Sequence, residues 1–584
     1  MPTISLNHSM MKRIQELNGA VYDGPILTDL LPNIGCPVES NDEDEIEVEV
    51  FPDRPDLLSH ETMAKAIRAF TGVGSVETKV EVSKGEFNIK VDQTMEGIRP
   101  VIMGAIVRSV NTGKGPQERD SFIQSLMDHQ EKLHLTLGRK RSFSSIGVHD
   151  LSKLSPPFRY VSVSRDFSFT PLASEKEMSI SEILSLHPKG IEYSSLMEGL
   201  DSFPIILDSN DEVISFPPII NGARTTVNEG TTDFFIDVTG FDERACEACL
   251  LLVCLSLSEL GGAVESVEIT SWDGKVRTTP NFENRNHRVP NRLIEKILGM
   301  KLSDEKINEA INRMGGKLIE SRTITDGSER QERWSDCVVG EREHVFLMPR
   351  WRSDIMHPID IVEDIAIGYG YGNLPEVLSS IHIDSTPLDS SNLHRRIRMS
   401  MRGVGLQEIQ SLTLSNERDQ FEKTNWSPVS KVTTISNPIS VDHTLLRQFI
   451  FPSLMNILAS NRHHELPQKV YELGEVVHDG ENMSKVSWAC AEVGAGFSAA
   501  KGIVQSLLRD LGADDSSVSF RDVVVDSGPW ISGRGAKVFI GDNQIGEFGE
   551  VSPEVIQSFG IRTPIHAGEF DVGIISDSIS DPLQ

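Results

Sequence analysis

The chain has 584 residues, of which 56 are Lys or Arg and 86 are Asp or Glu, so its formal net charge is −30. This length suggests roughly three to five domains, and a hydrophobic content of 38% is typical of a protein with several packed cores. A surface this acidic repels nucleic acid on average, so any RNA contact must use local basic patches.

The cysteine content and the length of the apolar runs indicate the cellular compartment of the protein. Six cysteines are too few for a disulfide framework in a chain of this length. Cys246 and Cys249 have the spacing of half a zinc site, but no second pair matches them, and we expect both in a buried helix over Ala245–Leu257. No secretory signal is recognisable, and the longest apolar run, Cys249–Leu255, is too short to span a bilayer. We therefore expect a cytoplasmic protein without membrane contact.

The first segment, residues 1–85, is predicted to contain a strand, a rigid loop and a helix. Apolar and acidic residues alternate over Ile46–Val50, which predicts a half-buried strand. The charged loop Phe51–Ser59 follows, and its two prolines fix φ and disfavour a helix. A helix is predicted from Ser59 through Phe70, with Gly72 as its C-terminal stop.

The second segment, residues 90–270, has the pattern of a mixed α+β domain. It begins with a predicted strand, Val101–Val110, and a predicted amphipathic helix, Gln117–Leu137. Short apolar runs bounded by Gly, Pro and Asn predict further strands, namely Ile146–Asp150, Ser202–Asp208, Pro217–Asn221 and Phe234–Thr239.

A basic turn, Arg139–Arg141, follows the predicted helix of this segment, with Lys132 and His134 just before it. These cations are the best local candidate for an RNA contact. The alternative is an ordinary solvated helix end, where positive charge interacts favourably with the helix dipole.

The third and fourth segments, residues 274–377 and 385–584, mix helices with strands. In the third we expect a strand, Val345–Trp351, and three helices, Val289–Leu298, Ser303–Met314 and Asp360–Tyr371. In the fourth we expect helices near Leu393–Val404 and Leu445–Arg462, and a hairpin over Val538–Phe548 that turns at Gly541–Asn543.

Four carboxylates in the third segment are the strongest local signal. On the helix predicted after Pro358, Asp360, Glu363 and Asp364 share one face, and Asp354 in the preceding extended run can reach the same place. Like charges this close oppose each other unless a positive charge lies among them. Hard oxygen ligands without His or Cys favour Mg²⁺. The alternative is that acids in a first helical turn merely interact with the helix dipole.

The same region resembles the metal-carrying module of phenylalanyl-tRNA synthetase β subunits. The similarity lies in Trp351–Ile355, Asp360–Ala366 and Gly368–Pro375. In that family the four acids hold a magnesium ion described as shared with the α subunit. The resemblance therefore implies that the Mg²⁺ ligands of this chain are Asp354, Asp360, Glu363 and Asp364, although Glu is commoner than Asp at the last position.

The resemblance extends over nearly the whole chain. Motifs similar to those of the archaeal and eukaryotic form are Phe51–Ser59, Arg139–Arg141 with Ile146–Asp150, Ser215–Asn221, Asn437–Ser440 with Leu445–Arg447, Tyr471–Gly474 and Gly549–Pro553. They imply an α+β multidomain fold. Its parts are an N-terminal module (1–85), a mixed α/β, tRNA-binding editing domain (90–270), a small helical metal-carrying module (274–377) and a degenerate class II synthetase-like antiparallel-sheet domain (385–584).

We do not expect this chain to catalyse the aminoacylation reaction. A class II synthetase clamps ATP phosphates with an arginine-bearing motif, and no Gly-x-Gly-x-Gly-x-x-Arg occurs in the sequence. The fourth segment is therefore interpreted as a catalytic fold that lost its chemistry, with a divergent active site as the alternative. The resemblance implies that the α chain of an α₂β₂ complex binds ATP and joins phenylalanine to tRNA(Phe).

The second segment carries the chemistry that we do expect. An apolar pocket cannot strongly reject tyrosine, which adds only a hydroxyl to phenylalanine, so a second, hydrolytic site is useful. The resemblance places such a site here, for mischarged Tyr–tRNA(Phe), with Ser215, Asn221 and Asp237 as candidate lining residues; packing or turn roles are the alternative. His149 is either a general base or a structural histidine.

Three functions compete at this point. The first is an obligate β subunit in which the α chain performs the ligation while β edits, scaffolds and holds the shared metal. The second is a free-standing tRNA-editing hydrolase that uses the second segment alone. The third is a non-enzymatic scaffold. The third and fourth segments favour the first function, because a simple hydrolase needs neither.

Overall fold

A computed structural model describes residues 2–74, 79–325, 338–376, 385–523 and 528–579. The chain forms two compact units, residues 1–378 and 379–584. Across the described ranges, no helix is both long and apolar enough to cross a membrane. Five cysteines in these ranges are buried and free, and Cys337 lies outside them.

The chain begins with a small three-stranded sheet of order β1-β3-β2 that packs with helices. Its elements are β1 (Thr3–Asn7), α1 (His8–Leu17), α2 (Leu27–Leu30), β2 (Val38–Asn41), β3 (Glu45–Glu49) and α3 (His60–Thr71). The predicted alternation is confirmed, because Ile46 and Val48 are fully buried while Glu45, Glu47 and Glu49 are half-buried. Ser59 caps α3 and Gly72 ends it with φ of 69°, as predicted.

A ten-stranded sheet dominates the first unit. Its path is β12-β11-β10-β7-β4-β14-β5-β13-β6, with β15 beside β14. The strands are β4 (Val82–Val91), β5 (Val101–Arg108), β6 (Ser144–Asp150), β7 (Phe158–Val163), β10 (Phe203–Leu207), β11 (Val213–Phe216), β12 (Ile220–Asn221), β13 (Phe234–Gly240), β14 (Ala263–Thr270) and β15 (Val276–Thr279), while β8 (Ser168–Phe169) and β9 (Met178–Ser179) form a separate pair.

Four helices accompany this sheet. They are α4 (Pro116–Leu135), α5 (Ile180–Leu186), α6 (Pro188–Tyr193) and α7 (Glu243–Glu259). Helix α7 packs against β5, β13 and β6, and its apolar residues are buried nearly all round. Cys246 and Cys249 lie on this helix, so the expectation that they belong to a buried helix is confirmed.

A three-stranded sheet of order β16-β18-β17 with three helices completes the first unit. Its elements are β16 (Arg285–Pro290), α8 (Asn291–Leu298), α9 (Asp304–Arg313), β17 (Lys317–Thr323), β18 (Arg342–Met348) and α10 (Pro358–Tyr369). The helix predicted from Val289 begins two residues later, because Val289 and Pro290 pair with β18 as part of a strand.

The second unit is built on a seven-stranded sheet of order β19-β22-β23-β27-β26-β25-β24. Its elements are α11 (Asp389–Gly403), β19 (Gln407–Glu408), β20 (Leu414–Ser415), β21 (Leu445–Leu446), α12 (Phe451–Ser460), β22 (Gln468–His478), β23 (Glu481–Ala491), α13 (Phe497–Leu511), β24 (Val518–Asp522), β25 (Trp530–Ile540), β26 (Asn543–Val551), α14 (Pro553–Ser558), β27 (Ile565–Asp571) and α15 (Val572–Ser578). All its pairings are antiparallel except β19 with β22.

The predicted hairpin at Gly541 is confirmed by the pairing of β25 with β26. The helix predicted over Leu445–Arg462 is wrong in its first turn and a half. Leu445 and Leu446 pair with β20, and the helix begins only at Phe451. Pro452 lies in the first turn of that helix, where its missing N–H costs nothing.

Two motifs of the second unit meet in its interior. The Arg447 guanidinium donates from Nη2 to Oε1 of Glu472 at 2.7 Å, and both side chains are 1% exposed. A Cβ added at Gly474 would lie 2.6 Å from Nη2 of Arg447, so the glycine leaves room for this ion pair. Arg447 is thereby committed to a buried structural contact rather than to a ligand.

Candidate functional site

A cavity of about 420 Å³ lies beside the large sheet, between β6, β11, β12 and α4. All three residues predicted from the sequence, Ser215, Asn221 and Asp237, line it. Apolar side chains such as Ile219 and Leu172 supply much of the remaining wall. The sequence therefore selected residues that the fold brings to one place, although 22 positions separate Ser215 from Asp237 along the chain.

Asp237 provides a buried carboxylate at this cavity. It lies on β13, opposite Gly147 of β6, and is 1% exposed. Its Oδ2 lies 2.7 Å from Nε2 of His149, which is fully buried. The other ring nitrogen of His149 lies 2.8 Å from the hydroxyl oxygen of Thr225. Because both nitrogens are engaged inside the protein, the geometry favours the structural interpretation of His149 over the general base.

Ser215 and Asn221 form a second polar pair at the cavity. They face each other across the strands β11 and β12, and the Ser215 hydroxyl donates to Oδ1 of Asn221 at 3.2 Å. This contact occupies the amide oxygen of Asn221, so the amide nitrogen is the group that remains to donate to a ligand. The serine is hydrogen-bonded to an amide rather than to a base, so its hydroxyl is not activated as a nucleophile.

Arg141 is a cavity residue that the sequence placed incorrectly. The sequence predicts that the turn Arg139–Arg141 either contacts RNA or forms a solvated helix end, but Arg141 is 8% exposed and lines the cavity. Its Nη1 donates to the backbone oxygens of Pro218 and Ile219, each at 3.1 Å, and its Nη2 donates to Glu131 at 2.6 Å.

The backbone explains how Arg141 turns inward. Arg139, Lys140 and Arg141 all have left-handed φ values, between 45° and 67°, which is unusual for three consecutive residues with side chains. Only Arg139 and Lys140 remain exposed. His134, which the sequence grouped with this turn as a candidate RNA contact, is also buried, and its Nε2 accepts the backbone N–H of Ile146.

Glu131 is the negatively charged partner of Arg141. The hydrogen bond from His134, assisted by the charge of Arg141, lowers the pKa of Glu131 to about 2. The carboxylate is therefore ionised at neutral pH and pairs with the guanidinium. No sequence pattern predicts this pair, because its geometry depends on the inward turn of Arg141.

The four predicted metal ligands lie around the first turns of α10. The buried Arg352 guanidinium donates to both oxygens of Asp354, from Nε at 3.0 Å and from Nη2 at 2.7 Å. The same Nη2 donates to Oδ1 of Asp364 at 2.9 Å, while the buried Oδ2 of Asp364 has no hydrogen-bond partner among the residues that the structure describes. Burial raises the pKa of Asp364, and the Arg352 charge opposes this shift.

The other two acids have different surroundings. Oδ2 of Asp360 accepts the backbone N–H groups of Met356 and His357, at 2.8 and 2.7 Å, and so caps α10. Glu363 is exposed, yet partial burial and the neighbouring carboxylates, of which Asp53 is the foremost, raise its pKa. Negative charge is thus crowded at this end of the helix.

A charged loop of the N-terminal region reaches the same cluster. Arg54 donates to both oxygens of Asp56 at 2.9 Å, and Oδ2 of Asp56 lies 4.0 Å from Nε of Arg352. Although burial opposes ionisation, the Arg54 charge holds the pKa of Asp56 below its ordinary value. The rigid loop predicted over Phe51–Ser59 therefore contributes to a buried network of alternating charges.

The donor set suits Mg²⁺, because it consists only of carboxylate oxygens. Within the described residues of this chain alone, these side chains are not arranged to hold a metal ion. Among the residues that the structure describes, no group of three or more His, Cys, Asp or Glu side chains is placed to hold one. Arg352 supplies the positive charge that we had expected from a metal ion.

Three family models match successive parts of the chain. The B3/4 domain matches residues 100–248, which carry the cavity, and the tRNA synthetase B5 domain matches residues 288–371, which carry the acids. The phenylalanyl tRNA synthetase beta chain CLM domain matches residues 374–572. These matches, with the α+β folds described above, define the class of the protein as a multidomain aminoacyl-tRNA synthetase subunit.

Similar proteins narrow the class. The phenylalanine–tRNA ligase beta subunit of Archaeoglobus fulgidus is 39% identical over 99% of both chains. That of Methanococcoides burtonii is 35% identical over 98% of this chain and 100% of its own. The crystal structure of an N-terminal fragment of the phenylalanyl-tRNA synthetase beta-subunit from Pyrococcus horikoshii matches with a TM-score of 0.55 and 30% identity, covering 63% of this chain and 99% of the fragment.

The chain belongs to the family of phenylalanine–tRNA ligase beta subunits. It is therefore part of a ligase complex that serves protein biosynthesis, and the resemblance drawn from its motifs is confirmed. The predicted α+β multidomain architecture is confirmed as well.

Proposed function

We propose that this chain is the editing and scaffolding subunit of an α₂β₂ complex that attaches phenylalanine to tRNA(Phe) at the expense of ATP. In this proposal the α subunit binds ATP and performs the ligation. The 420 Å³ cavity hydrolyses Tyr–tRNA(Phe). The observation that carries the proposal is the buried Asp237 carboxylate, which lies at a largely apolar cavity within the B3/4 match.

The physical argument concerns one hydroxyl group. An apolar wall accepts the ring of tyrosine or phenylalanine equally, but a buried polar group distinguishes them. The phenol O–H of tyrosine can donate to the Asp237 carboxylate, whereas phenylalanine would cover that carboxylate without replacing its hydrogen bonds. Leaving such a group unpaired is costly. The cavity therefore favours the mischarged ester over the correct one.

Hydrolysis in this proposal uses a bound water. Among the described residues, the Ser215 hydroxyl is hydrogen-bonded to the amide of Asn221 and not to a base, and His149 is enclosed, so neither serves as a nucleophile or its activator. Asn221 and Arg141 offer N–H donors at the cavity, and donors of this kind stabilise the oxyanion of an ester under attack.

The acids of α10 are proposed as the contribution of this chain to a magnesium ion shared with the α subunit. The crowded carboxylates and the unpartnered Oδ2 of Asp364 support this proposal. Because Arg352 engages Asp354 and Asp364, the ion requires a rearrangement or additional ligands, which the partner would bring. When bound, it would neutralise the acidic end of α10 at the subunit contact.

The editing proposal is tested by deacylation of preformed Tyr–tRNA(Phe) with the purified α–β complex. We expect rapid hydrolysis by the native complex. With Asn221→Ala we expect the rate of hydrolysis to fall at least about tenfold, because one polar contact of the reacting ester is lost. Asn312→Ala, on α9 and outside the cavity lining, is the matched control and should retain the native rate. A native complex that leaves Tyr–tRNA(Phe) intact would contradict the proposal.

A further inference from the structure

His149 and Asp237 form a buried hydrogen-bonded pair. Nε2 of His149 lies 2.7 Å from Oδ2 of Asp237, and Nδ1 lies 2.8 Å from the hydroxyl oxygen of Thr225. That hydroxyl also lies 3.2 Å from the backbone oxygen of Gly222. The hydrogen bond between the ring and the carboxylate gives the buried Asp237 a partner, which lowers the cost of burying it.

The sheet makes room for this pair at one position. Gly147 lies directly opposite Asp237 in the register of β6 and β13. A Cβ at position 147 would lie 2.1 Å from Oδ2 of Asp237 and 2.7 Å from Nε2 of His149. Any side chain there would displace the hydrogen bond between them. The imidazole is also held by Phe235, whose ring stacks on it at 5.9 Å between centroids.

The pair leaves the two carboxylate oxygens of Asp237 unequal. Oδ2 is committed to His149. Around Oδ1, the described residues provide no hydrogen bond, and Asp237 lines the cavity. One oxygen therefore anchors the side chain while the other is available to a ligand. Without this anchor the carboxylate could rotate. Either oxygen could then face the cavity and accept a hydrogen bond from water rather than from a phenol.

We propose that His149 is a positioning residue for tyrosine recognition, which fixes Asp237 so that Oδ1 accepts the phenol O–H of a tyrosyl ester. This inference rests on the proposed editing function and identifies a residue that determines the substrate specificity of the same cavity. His149 does not touch the substrate. Its effect is on the preference for tyrosine over phenylalanine rather than on the hydrolytic step.

The test compares the deacylation of Tyr–tRNA(Phe) and Phe–tRNA(Phe) by the α–β complex, measuring kcat and KM for each. In His149→Leu the ratio of kcat/KM for the two esters should fall by about tenfold to a hundredfold, the worth of one hydrogen bond to a charged group. The loss should appear mainly in KM for the tyrosyl ester. His149→Gln should recover much of the ratio, because its amide can donate to Oδ2.

Two further variants separate this effect from a general loss of stability. Gly147→Ala should lower the same ratio, since it displaces the same contact. His129→Leu removes another buried histidine of this region, which is hydrogen-bonded to Ser256 and lies outside the cavity lining, and it should leave the ratio unchanged. If His149→Leu does not fold, His149→Gln and Gly147→Ala decide the question.

The outcomes distinguish the inference from the function on which it rests. A native complex that does not hydrolyse Tyr–tRNA(Phe) refutes the editing function itself. A native complex that hydrolyses it, with an unchanged tyrosine-to-phenylalanine ratio in His149→Leu or in Gly147→Ala, overturns only the positioning role. A ratio that falls and is recovered by His149→Gln supports both.

Discussion

At the scale of single residues, several buried carboxylates of the first unit are paired with a cation or a histidine from another element or loop of the chain. Asp237 meets His149 across 88 positions, and Asp364 meets Arg352 across 12. An uncompensated buried charge is strongly destabilising, whereas a paired one is tolerated. These pairings therefore specify where the strands and loops must lie.

Residue chemistry predicted part of the candidate site. Ser215, Asn221 and Asp237 were selected from motifs, and the structure brings them to one cavity. Arg141 was assigned to the surface, because a run of basic residues after a helix usually faces solvent. Its burial depends on three left-handed residues and on backbone oxygens 77 and 78 positions away, which no local pattern encodes.

Arg352 gives a prediction about stability at this scale. Arg352→Met should lower the free energy of unfolding by about 3–5 kcal/mol, because it leaves the buried Asp364 and the half-buried Asp354 without their cation. The control is Arg350→Met, two residues away, which removes a half-buried pair with Glu247 and should cost about 1 kcal/mol or less. Equilibrium unfolding in urea measures both, and equal losses would contradict the assigned role of Arg352.

At the scale of secondary-structure elements, the sequence predicted which helices and strands exist better than where they begin. The alternation over Ile46–Val50 located a strand within one residue, because one face is buried and the other is not. The start of α12 was placed too early, since Leu445 and Leu446 are as apolar as helix residues but pair with β20. Short strands of this kind are stabilised by a distant partner, so local pattern alone does not separate them from a helix.

Helix α3 provides a pH-dependent prediction at the same scale. Glu61 lies in its first turn and is 4% exposed, and burial raises its pKa to about 7. In the unfolded chain the group ionises near its ordinary value of 4.5. Folding is therefore favoured by the protonated group below about pH 4.5, and this contribution is lost as the pH rises towards 7.

Replacing the carboxyl group should remove this dependence. Glu61→Gln should be more stable than the native chain at pH 8, by on the order of 3 kcal/mol, and nearly equal to it at pH 4.5. Thermal melting of both chains at several pH values measures the difference. Glu118→Gln, an exposed first-turn glutamate on α4, is the control. A stability difference for Glu61→Gln that stays constant from pH 4.5 to pH 8 would refute the assigned protonation.

At the scale of the whole molecule, the sequence predicted the family and the α+β architecture because several motifs occur in a fixed order. It did not predict that Arg352 pairs with two of the four acids, Asp354 and Asp364. That outcome depends on Arg352 and on the Arg54–Asp56 loop folding onto the same helix end. The chain thus has a self-contained charge network where a metal ion was expected.

This network leads to a prediction about cation binding in the assembly. We expect the chain alone to bind Mn²⁺, used as a paramagnetic substitute for Mg²⁺, at least about tenfold more weakly than the α–β complex, because Arg352 competes for Asp354 and Asp364 until the partner is present. Electron paramagnetic resonance of free Mn²⁺ measures both affinities. Glu363→Gln should weaken binding in the complex, while Glu341→Gln, an acid of the same region outside the cluster, should not. Equal affinity with and without the α subunit would rule out the proposed sharing.

The division of labour between the subunits is tested most directly by mischarging. The α–β complex is supplied with tyrosine, ATP and tRNA(Phe), and the steady-state level of Tyr–tRNA(Phe) is measured for the native chain and for Asp237→Ala. The proposed editing function predicts that Tyr–tRNA(Phe) accumulates only with Asp237→Ala, while the rate of phenylalanine attachment stays at the native value. Equal levels of Tyr–tRNA(Phe) in the two complexes would show that this cavity does not remove tyrosine.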